Sequence, residues 1–561
     1  MKKIFLKLVI PSLLVTLGVF QSCETLDLDV VDSPNAVNPT TADVDLFINA
    51  IQLRLTDFID GVEGSGFDGI SEFGMEPVRM IHGFGPSYRE LNDPADFNQL
   101  WGTAYSSALA DIRAMTPLAV EAELYTHIAI SQVIEAYIMM TLVDFFGDVP
   151  YTEAARGNEG IFNPVADSGE SIYAAADQLL IDAIANFDLD EVNLPTNDVY
   201  YNGDESKWKK LANTLRLKLY LQTRLVDSNA TSVINGLISD GDLILDTADD
   251  FQFQYSTSAA APDSRHPFFE KTYSGTGPSS DFYMANYYMD LLENGQPTSD
   301  PRTRYYFYRQ VGDFSGANVV TNDCVTQNRP AWYSADEVYC TVGDGFWGRD
   351  HLNPDGIPPD QQFRAMFGVY PVGGAFDDDS FRNVSGSTAI NEGLQGAGIN
   401  PIMLASYTNF MLAEAALTLG TTGDAATYLE AGMRESITKT MIFSASVANG
   451  SSFIPTSGAI DTYIASVMAE YNGGSDDDKL RVIVEQYFIA LWTNGVEAYN
   501  TYRRTGHPSD IQPAVELSDP GVFQRSNWYP ATAADNNINL TQKDGVTAPV
   551  FWDTNPASLF R

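Results

Sequence analysis

Apolar residues recur with a helical period through much of the chain, and that period gives a first set of elements. Val44, Phe47, Ile48, Ile51, Leu55, Phe58 and Ile59 fall at i, i+3, i+4 and i+7 type spacings, which marks one buried helix stripe. Thr41 or Asp43 is placed to cap that helix. A second helix is expected from about Trp101 to Met115, stopping before Pro117. A third is expected from about Glu121 to Phe146, ended by Gly147 and Pro150. Asp167-Ser168-Gly169-Glu170 opens a fourth helix, through Phe187. Ser206 opens a fifth, with Trp208, Leu211, Ala212, Leu215 and Leu219 on one stripe. The period is lost over residues 245–400, where Gly, Pro, Asp, Asn and aromatics dominate. It returns at Ser406–Leu419 and Ala425–Thr438, and again over about Asp477 to Asn494, with Gly495 as the expected stop. The tail from Arg503 onward is irregular.

Helices paired by short turns suggest a solenoid-like array, and the stretch from Ala413 to Leu429 resembles a tetratricopeptide hairpin. The expected fold is therefore mostly α: tetratricopeptide-like helical hairpins carrying a long, loop-rich aromatic insertion. A loop region of that length inside a folded protein is usually functional or disordered, and its aromatic content favours an ordered, functional one.

The first residues describe export. Lys2, Lys3 and Lys7 form a positive n-region ahead of an apolar stretch, Leu8 to Phe20, too short to span a bilayer and suited to an h-region. Phe20-Gln21-Ser22-Cys23 resembles the lipobox of bacterial lipoproteins, with Phe where Leu is usual. We read residues 1–22 as a lipoprotein signal peptide, Cys23 as the lipidated residue and 23–40 as an acidic tether. Residues 41–561 then form a single domain, helical over 41–244 and 401–500, loop-rich over 245–400, with a tail at 501–561. A plain secretory signal with Cys23 incidental is the alternative.

Composition narrows the function classes. The 561 residues carry 32 Lys+Arg against 74 Asp+Glu, a formal net charge of −42, yet only 19% are charged and 44% are hydrophobic. That balance argues for a folded chain. It also argues against nucleic acid, whose phosphates need Lys and Arg. Six cations nevertheless cluster at Lys207, Lys209, Lys210, Arg216, Lys218 and Arg224. They form either a docking face or, more commonly, a solvated helix side paired with local acids.

Catalytic signatures are missing. There is no H-E-x-x-H pair, no G-x-S-x-G elbow, no G-K-[ST] phosphate loop and no C-x-x-C. Gly64-Ser65-Gly66-Phe67-Asp68-Gly69 fits G-x-G-x-x-G, but follows a helix where the dinucleotide motif follows a strand. The chain reads as a non-enzyme without a required cofactor. Asp350, Asn353 and Asp355 offer oxygens beside Gly356, as calcium loops do, but the register puts Gln362 where an EF-hand has its closing Glu. Turn chemistry is the stronger reading, with calcium as the alternative. Cys324 and Cys340 either close a loop by disulfide or remain two thiols.

Five stretches, in order, resemble the SusD/RagB family of outer-membrane lipoproteins from Bacteroidetes-type bacteria. Cys23-Glu24-Thr25-Leu26-Asp27 with Asp32-Ser33-Pro34-Asn35 is similar to the family's mature start. Phe146-Gly147-Asp148-Val149-Pro150-Tyr151 resembles its F-G-D-V-P-Y signature. The helix from Lys207 to Lys218 resembles its W-x-K-x-A-N helix. Glu485 to Trp492 with Tyr502-Arg503-Arg504-Thr505-Gly506 resembles its C-terminal block, and Val550-Phe551-Trp552-Asp553 its closing stretch. Residue chemistry makes these fold markers: Trp208 and Trp492 as core, Glu485 and Arg503 as partners for a buried charge. The resemblance implies a cell-surface lipoprotein, lipid-anchored in the outer membrane. It would bind oligosaccharides, or peptides in some branches, and deliver them to a SusC-like TonB-dependent transporter. A secreted glycosidase and an adhesin are the rival readings.

The ligand site is expected in the insertion, around Trp332, Tyr333 and Trp347. Residues 282–347 hold fourteen Phe, Tyr or Trp, well above the chain average of 12%. Without helical periodicity, not all these rings sit on buried stripes. An exposed indole offers a flat apolar face to the C–H side of a sugar ring. Arg329, Asp344 and Arg349 are placed to bond hydroxyls, with Tyr88 and Phe73 as candidates for the opposite wall. The competing reading is that the two tryptophans staple the loop to the body.

Overall fold

A computed structural model of the chain describes residues 43–62, 67–189, 193–273, 283–312, 323–354, 363–371, 377–382, 393–444, 453–516 and 523–561. The signal peptide, Cys23, the tether, residues 63–66 of the Gly-rich stretch and Asp355 lie outside these residues. The chain divides into two units, Met1–Asp43 and Val44–Arg561. The first contributes only Asp43 to the described residues, and all the described helices and strands belong to the second.

Among the described residues, six α-helices of eight or more residues build the first half: α1 (Val44–Asp60), α2 (Ala110–Glu121), α3 (Tyr125–Phe146), α4 (Gly169–Phe187), α5 (Glu205–Gln222) and α6 (Ala230–Asp240). Six more of that length follow: α7 (Asn286–Glu293), α8 (Ala405–Leu419), α9 (Ala425–Ser444), α10 (Ser457–Gly473), α11 (Asp476–Ala490) and α12 (Gly495–Thr505). Consecutive helices pack on one another, α3 on α4, α4 on α5, α5 on α6 and α8 on α9, while α5 meets α8 and joins the two halves. The mostly α, tetratricopeptide-like expectation describes this architecture. Helix α3 is apolar all round and almost wholly buried, as a helix surrounded by protein must be.

Local chemistry moves several boundaries. Ser168 caps α4, its hydroxyl accepting from the Ser171 amide. Helix α5 is capped by Asp204, not Ser206, because the Asp204 carboxylate takes the Ser206 and Lys207 amides. The second expected helix passes through Pro117, and Thr103–Leu109 just before α2 is a π-helix. Gly495 does not end a helix; it begins α12. A Cβ there would stand 1.9 Å from the Ser71 carbonyl oxygen, while the Ser71 hydroxyl donates to the Thr493 carbonyl at 2.6 Å and accepts from the Gly495 amide at 2.8 Å. Two backbones meet there with no room for a side chain.

The insertion has a definite root. Among the described residues it carries four strands, β1 (Phe251–Gln254), β2 (Phe307–Tyr308), β3 (Met366–Phe367) and β4 (Ile399–Met403). They pair antiparallel, β1 with β4 and β2 with β3. The long excursion thus leaves and re-enters the helical body through a single ladder, with Phe251 opposite Met403.

The motifs that are scattered along the sequence converge in one buried polar cluster. The Asp144 carboxylate accepts from Asn500 at 2.6 Å, from the Trp552 indole at 2.9 Å and from the Tyr173 hydroxyl. Lys218 reaches Glu497 at 2.5 Å and stands 4.0 Å from Asp144. Arg503 bonds Asn500 and the Arg525 carbonyl, each at 2.7 Å, and lies over the rings of Tyr499 and Trp552. The expected Glu485–Arg503 pair is not made: Glu485 takes Arg481 one helical turn away, at 2.7 Å. Trp208 and Trp492 are fully buried, as read. The six-cation cluster is not a free docking face. Lys209, Lys210 and Arg216 pair with Asp188, Asp249 and Asp177, Arg224 lies 3.3 Å from Glu414, and Lys207 donates to the Ala248 carbonyl.

Candidate functional site

A cleft of about 820 Å³ opens where the insertion meets α10. Two arginines form one wall. Arg309 donates to Asp377 at 2.7 Å, to the Asp344 carbonyl at 2.8 Å and to Asp379. Its guanidinium lies 4.8 Å from the Phe346 ring centre and 5.3 Å from that of Phe381. Arg304 donates to Asp379 at 2.9 Å and lies 4.0 Å over Phe453. Phe381 and Phe453 are 36% and 37% exposed, so each keeps ring surface toward solvent. Burial works against ionisation of Asp379, but the hydrogen bond and charge of Arg304, with those of Arg309, hold its carboxyl below the ordinary value. At the floor, Arg302 and Asp300 form a buried fork, and Tyr463 donates to Asp300 at 2.6 Å.

A tight turn sets the rim. Asp344 and Gly345 have φ of 47° and 89°, both positive as in a type I′ hairpin, for which Asp-Gly is a favoured pair. A Cβ at Gly345 would stand 2.4 Å from the Val311 carbonyl oxygen, so the turn packs against the chain after β2 only as glycine.

Of the eight ligand residues read from sequence, Asp344 alone lines this cleft. Phe73 is buried against Phe97, with ring centres 4.5 Å apart. Tyr88 is buried, donating to the Arg561 carbonyl at 2.9 Å. Tyr333 is buried and donates to the Pro513 carbonyl at 2.6 Å. Trp347 is buried next to the Gly348–Arg349 segment, and Arg349 is buried 4.1 Å over the Tyr283 ring. All five are buried, Phe73 and Tyr88 in the helical body and Tyr333, Trp347 and Arg349 within the insertion. Trp332 keeps 42% of its surface exposed while its indole donates to the Ala514 carbonyl at 3.0 Å. Arg329 is exposed on the same turn and donates to the Ser334 carbonyl. That turn is stapled to residues 513–514 and does not line the cleft.

Cys324 and Cys340 are bonded, with Cα atoms 5.4 Å apart. Asp350 does not have the environment of a calcium ligand. Its buried carboxylate accepts from Asn286 at 2.9 Å, Gln512 at 2.8 Å and the Cys340 amide at 2.9 Å. Burial raises its pKa against the pull of those donors. Its oxygens are occupied by N–H groups, and among the described residues no group of three His, Cys, Asp or Glu is placed to hold a metal.

Sequence reasoning missed Arg304, Arg309, Phe381 and Phe453. A signal existed: Arg302, Arg304 and Arg309 fall within eight positions among Tyr and Phe, in a chain with only 32 basic residues.

The fold belongs to a known class. Residues 83–342 match a SusD-like family described as starch-binding and associating with the outer membrane. Residues 389–543 match the family described as SusD and RagB outer-membrane lipoprotein. The chain is a member of the SusD/RagB family. Solved structures agree on the fold. A SusD homologue from Bacteroides fragilis has a TM-score of 0.60 at 18% identity, over 92% of this chain and 100% of its own. A SusD/RagB family protein from Bacteroides thetaiotaomicron has 0.63 at 19%, over 92% and 100%. A chitin-binding protein has 0.63 at 19%, over 91% and 100%. Among curated proteins, none matches the chain.

Proposed function

We propose that the protein is a lipid-anchored receptor of the cell surface that captures nutrient oligomers and passes them to a SusC-like TonB-dependent transporter, with no turnover of its own. Oligosaccharides are the ligand this reading favours. The observation that carries it is the cleft at the insertion–α10 junction. Phe381 and Phe453 supply apolar faces for the C–H side of sugar rings. Arg304, Arg309, Asp344 and Asp379 supply donors and acceptors for hydroxyls. The guanidiniums are held by carboxylates and ring faces, so little side-chain freedom is lost on binding. The starch-binding description of one matching family and the chitin-binding relative support a glycan. The charged lining also suits a peptide, and that is the second reading.

A calorimetric screen of neutral glycans, acidic glycans and short peptides against the purified protein tests this. We expect a glycan to bind, Phe381→Ala and Arg304→Ala each to weaken it at least tenfold, and prolonged incubation to leave it uncleaved. Saturable peptide binding at the same residues would replace oligosaccharide by peptide. Cleavage of the glycan would make the protein an enzyme. The anchor rests on Cys23. Cys23→Ala should release protein from the membrane fraction, and retention through an alkaline wash would overturn the anchor. Mild detergent extraction should bring a barrel transporter with the protein. Recovery alone from several detergents would count against that partner.

A further inference from the structure

A second groove lies away from the charged cleft, between the π-helical segment Thr103–Leu109, the stretch around Pro150–Pro164 and the short helix Ala531–Asn536. Its volume is about 340 Å³, the low end of ligand pockets, which run from about 300 to 1,000 Å³. Its lining contains no Asp, Glu, Lys, Arg or His, in a chain with a net charge of −42. The charged cleft, by contrast, is lined by Glu293, Asp300, Arg304, Arg309, Asp344 and Asp379.

Three rings face the groove. Trp101 and Tyr105 lie one turn apart, with ring centres 4.6 Å apart and planes tilted by 38°. Both are fixed: Trp101 meets Phe146 edge-on at 5.5 Å, and the Tyr105 hydroxyl donates to the Pro150 carbonyl at 2.7 Å. The third, Phe162, is 76% exposed. Its loop is braced, since Asn537 donates to the Pro164 carbonyl at 2.8 Å and Asn539 to the Asn163 carbonyl at 2.6 Å, while the Asn163 side chain takes the Ile538 amide at 3.1 Å. A phenyl ring held into water on a braced loop is prepared contact area. The hydrogen-bonding groups at the edge are neutral. Asn536 spends its NH₂ on the Thr532 carbonyl at 2.8 Å, and its amide oxygen accepts nothing from the described residues.

We propose that this groove is a second ligand site, for a neutral sugar unit. Tilted aromatic faces fit the apolar side of a pyranose, and the amide and hydroxyl rim fits its equatorial hydroxyls. A carboxylate or ammonium would enter without an opposite charge to pair with, which penalises charged sugars and peptides. The π-helical turn beside the rings is of a kind often found at functional sites. The inference stands apart from the charged cleft and holds whatever that cleft binds.

The test labels the tryptophans of the full chain with 5-fluorotryptophan and assigns the Trp101 resonance through Trp101→Phe. Maltose, cellobiose, N,N′-diacetylchitobiose and mannobiose are titrated, with digalacturonate as the acidic comparison. We expect at least one neutral disaccharide to shift the Trp101 signal saturably. Phe162→Ala should weaken that response at least tenfold with an unchanged melting temperature, and digalacturonate should leave the signal in place. Phe381→Ala, in the other cleft, should not alter the Trp101 response, which separates the two sites. The proposal is overturned if no neutral disaccharide moves Trp101, if digalacturonate binds equally well, or if Phe162→Ala changes nothing. It is also overturned if, in the membrane complex, hydrogen exchange finds the Phe162 and Ile538 loops covered by a polypeptide with no effect of sugar.

Discussion

Trp552 donates its indole N–H to the Asp144 carboxylate at 2.9 Å, across 408 residues of sequence. The same carboxylate collects Tyr173 from α4 and Asn500 from α12, and lies 4.0 Å from Lys218 of α5. The closing stretch of the chain is thereby locked to the end of α3. Trp552→Phe keeps most of the apolar volume and removes the donor. Chemical denaturation should show a loss of about 1.5–3 kcal/mol, the range for a hydrogen bond to a charged group.

Glu414 and Arg504 make a second buried lock, with two bonds of 2.8 Å, and Arg224 stands beside them at 3.3 Å from the same carboxylate. Coulombic and hydrogen-bond partners at Arg504 and Arg224 outweigh burial and hold Glu414 below its ordinary pKa. Glu414→Ala would leave two guanidiniums buried without their carboxylate. A loss of about 3–5 kcal/mol is expected, read as a shift of the denaturant midpoint at constant slope.

Two glycines should answer oppositely to alanine. At Gly495 the new Cβ would collide with the Ser71 carbonyl at 1.9 Å, backbone against backbone. Gly495→Ala should be strongly destabilising or fail to fold. At Gly236, inside α6, nothing lies within 4 Å of the new Cβ. Gly236→Ala should raise stability by about 0.5–1 kcal/mol, through lower entropy of the unfolded chain. Thermal melts of the two variants check both signs.

Asp60 and His266 sit together in the core, 3.6 Å apart, with Tyr255 donating to Asp60 at 3.0 Å. Burial pushes the Asp60 carboxyl up to about 8 and His266 down to about 3. The stability contributed by Asp60 is full below its unfolded value near 3.8 and fades as pH rises through 8. The contribution of His266 is full above its unfolded value of 6.5 and fades as pH falls toward 3. Between about pH 4 and 6.5 the two slopes oppose, and from about 6.5 to 8 the loss from Asp60 remains, at most about 1.4 kcal/mol per pH unit. Asp60→Asn should remove that alkaline loss, so the wild-type-minus-variant difference in unfolding free energy should fall between pH 6.5 and 8. A flat difference would place the titration elsewhere.

Trp347 and Phe381 should separate packing from binding. Trp347 is buried, so Trp347→Ala should lower the melting temperature by several degrees while the folded fraction keeps its ligand affinity. Phe381→Ala should do the reverse. Melting curves and calorimetry on the same preparations decide it.

Helix existence was legible because the stripe from Val44 to Ile59 and the one from Trp208 to Leu219 are local periodicities, and burial of one helix face is read from spacing alone. The Asp344-Gly345 turn is local in the same sense: its geometry is set by two adjacent residues. Net charge and the order of the family motifs also needed nothing beyond the chain. The tertiary structure decided which aromatic rings are spent. Trp347 and Tyr333 look as exposed in sequence as Phe381 and Phe453, since a loop without periodicity carries no record of which side meets the body. It also decided the partners of charge. Glu485 took Arg481, four residues away, and left Arg503 to Asn500, the Arg525 carbonyl and two ring faces. Pairing energy depends on distance and desolvation in space, and separation along the chain does not encode either.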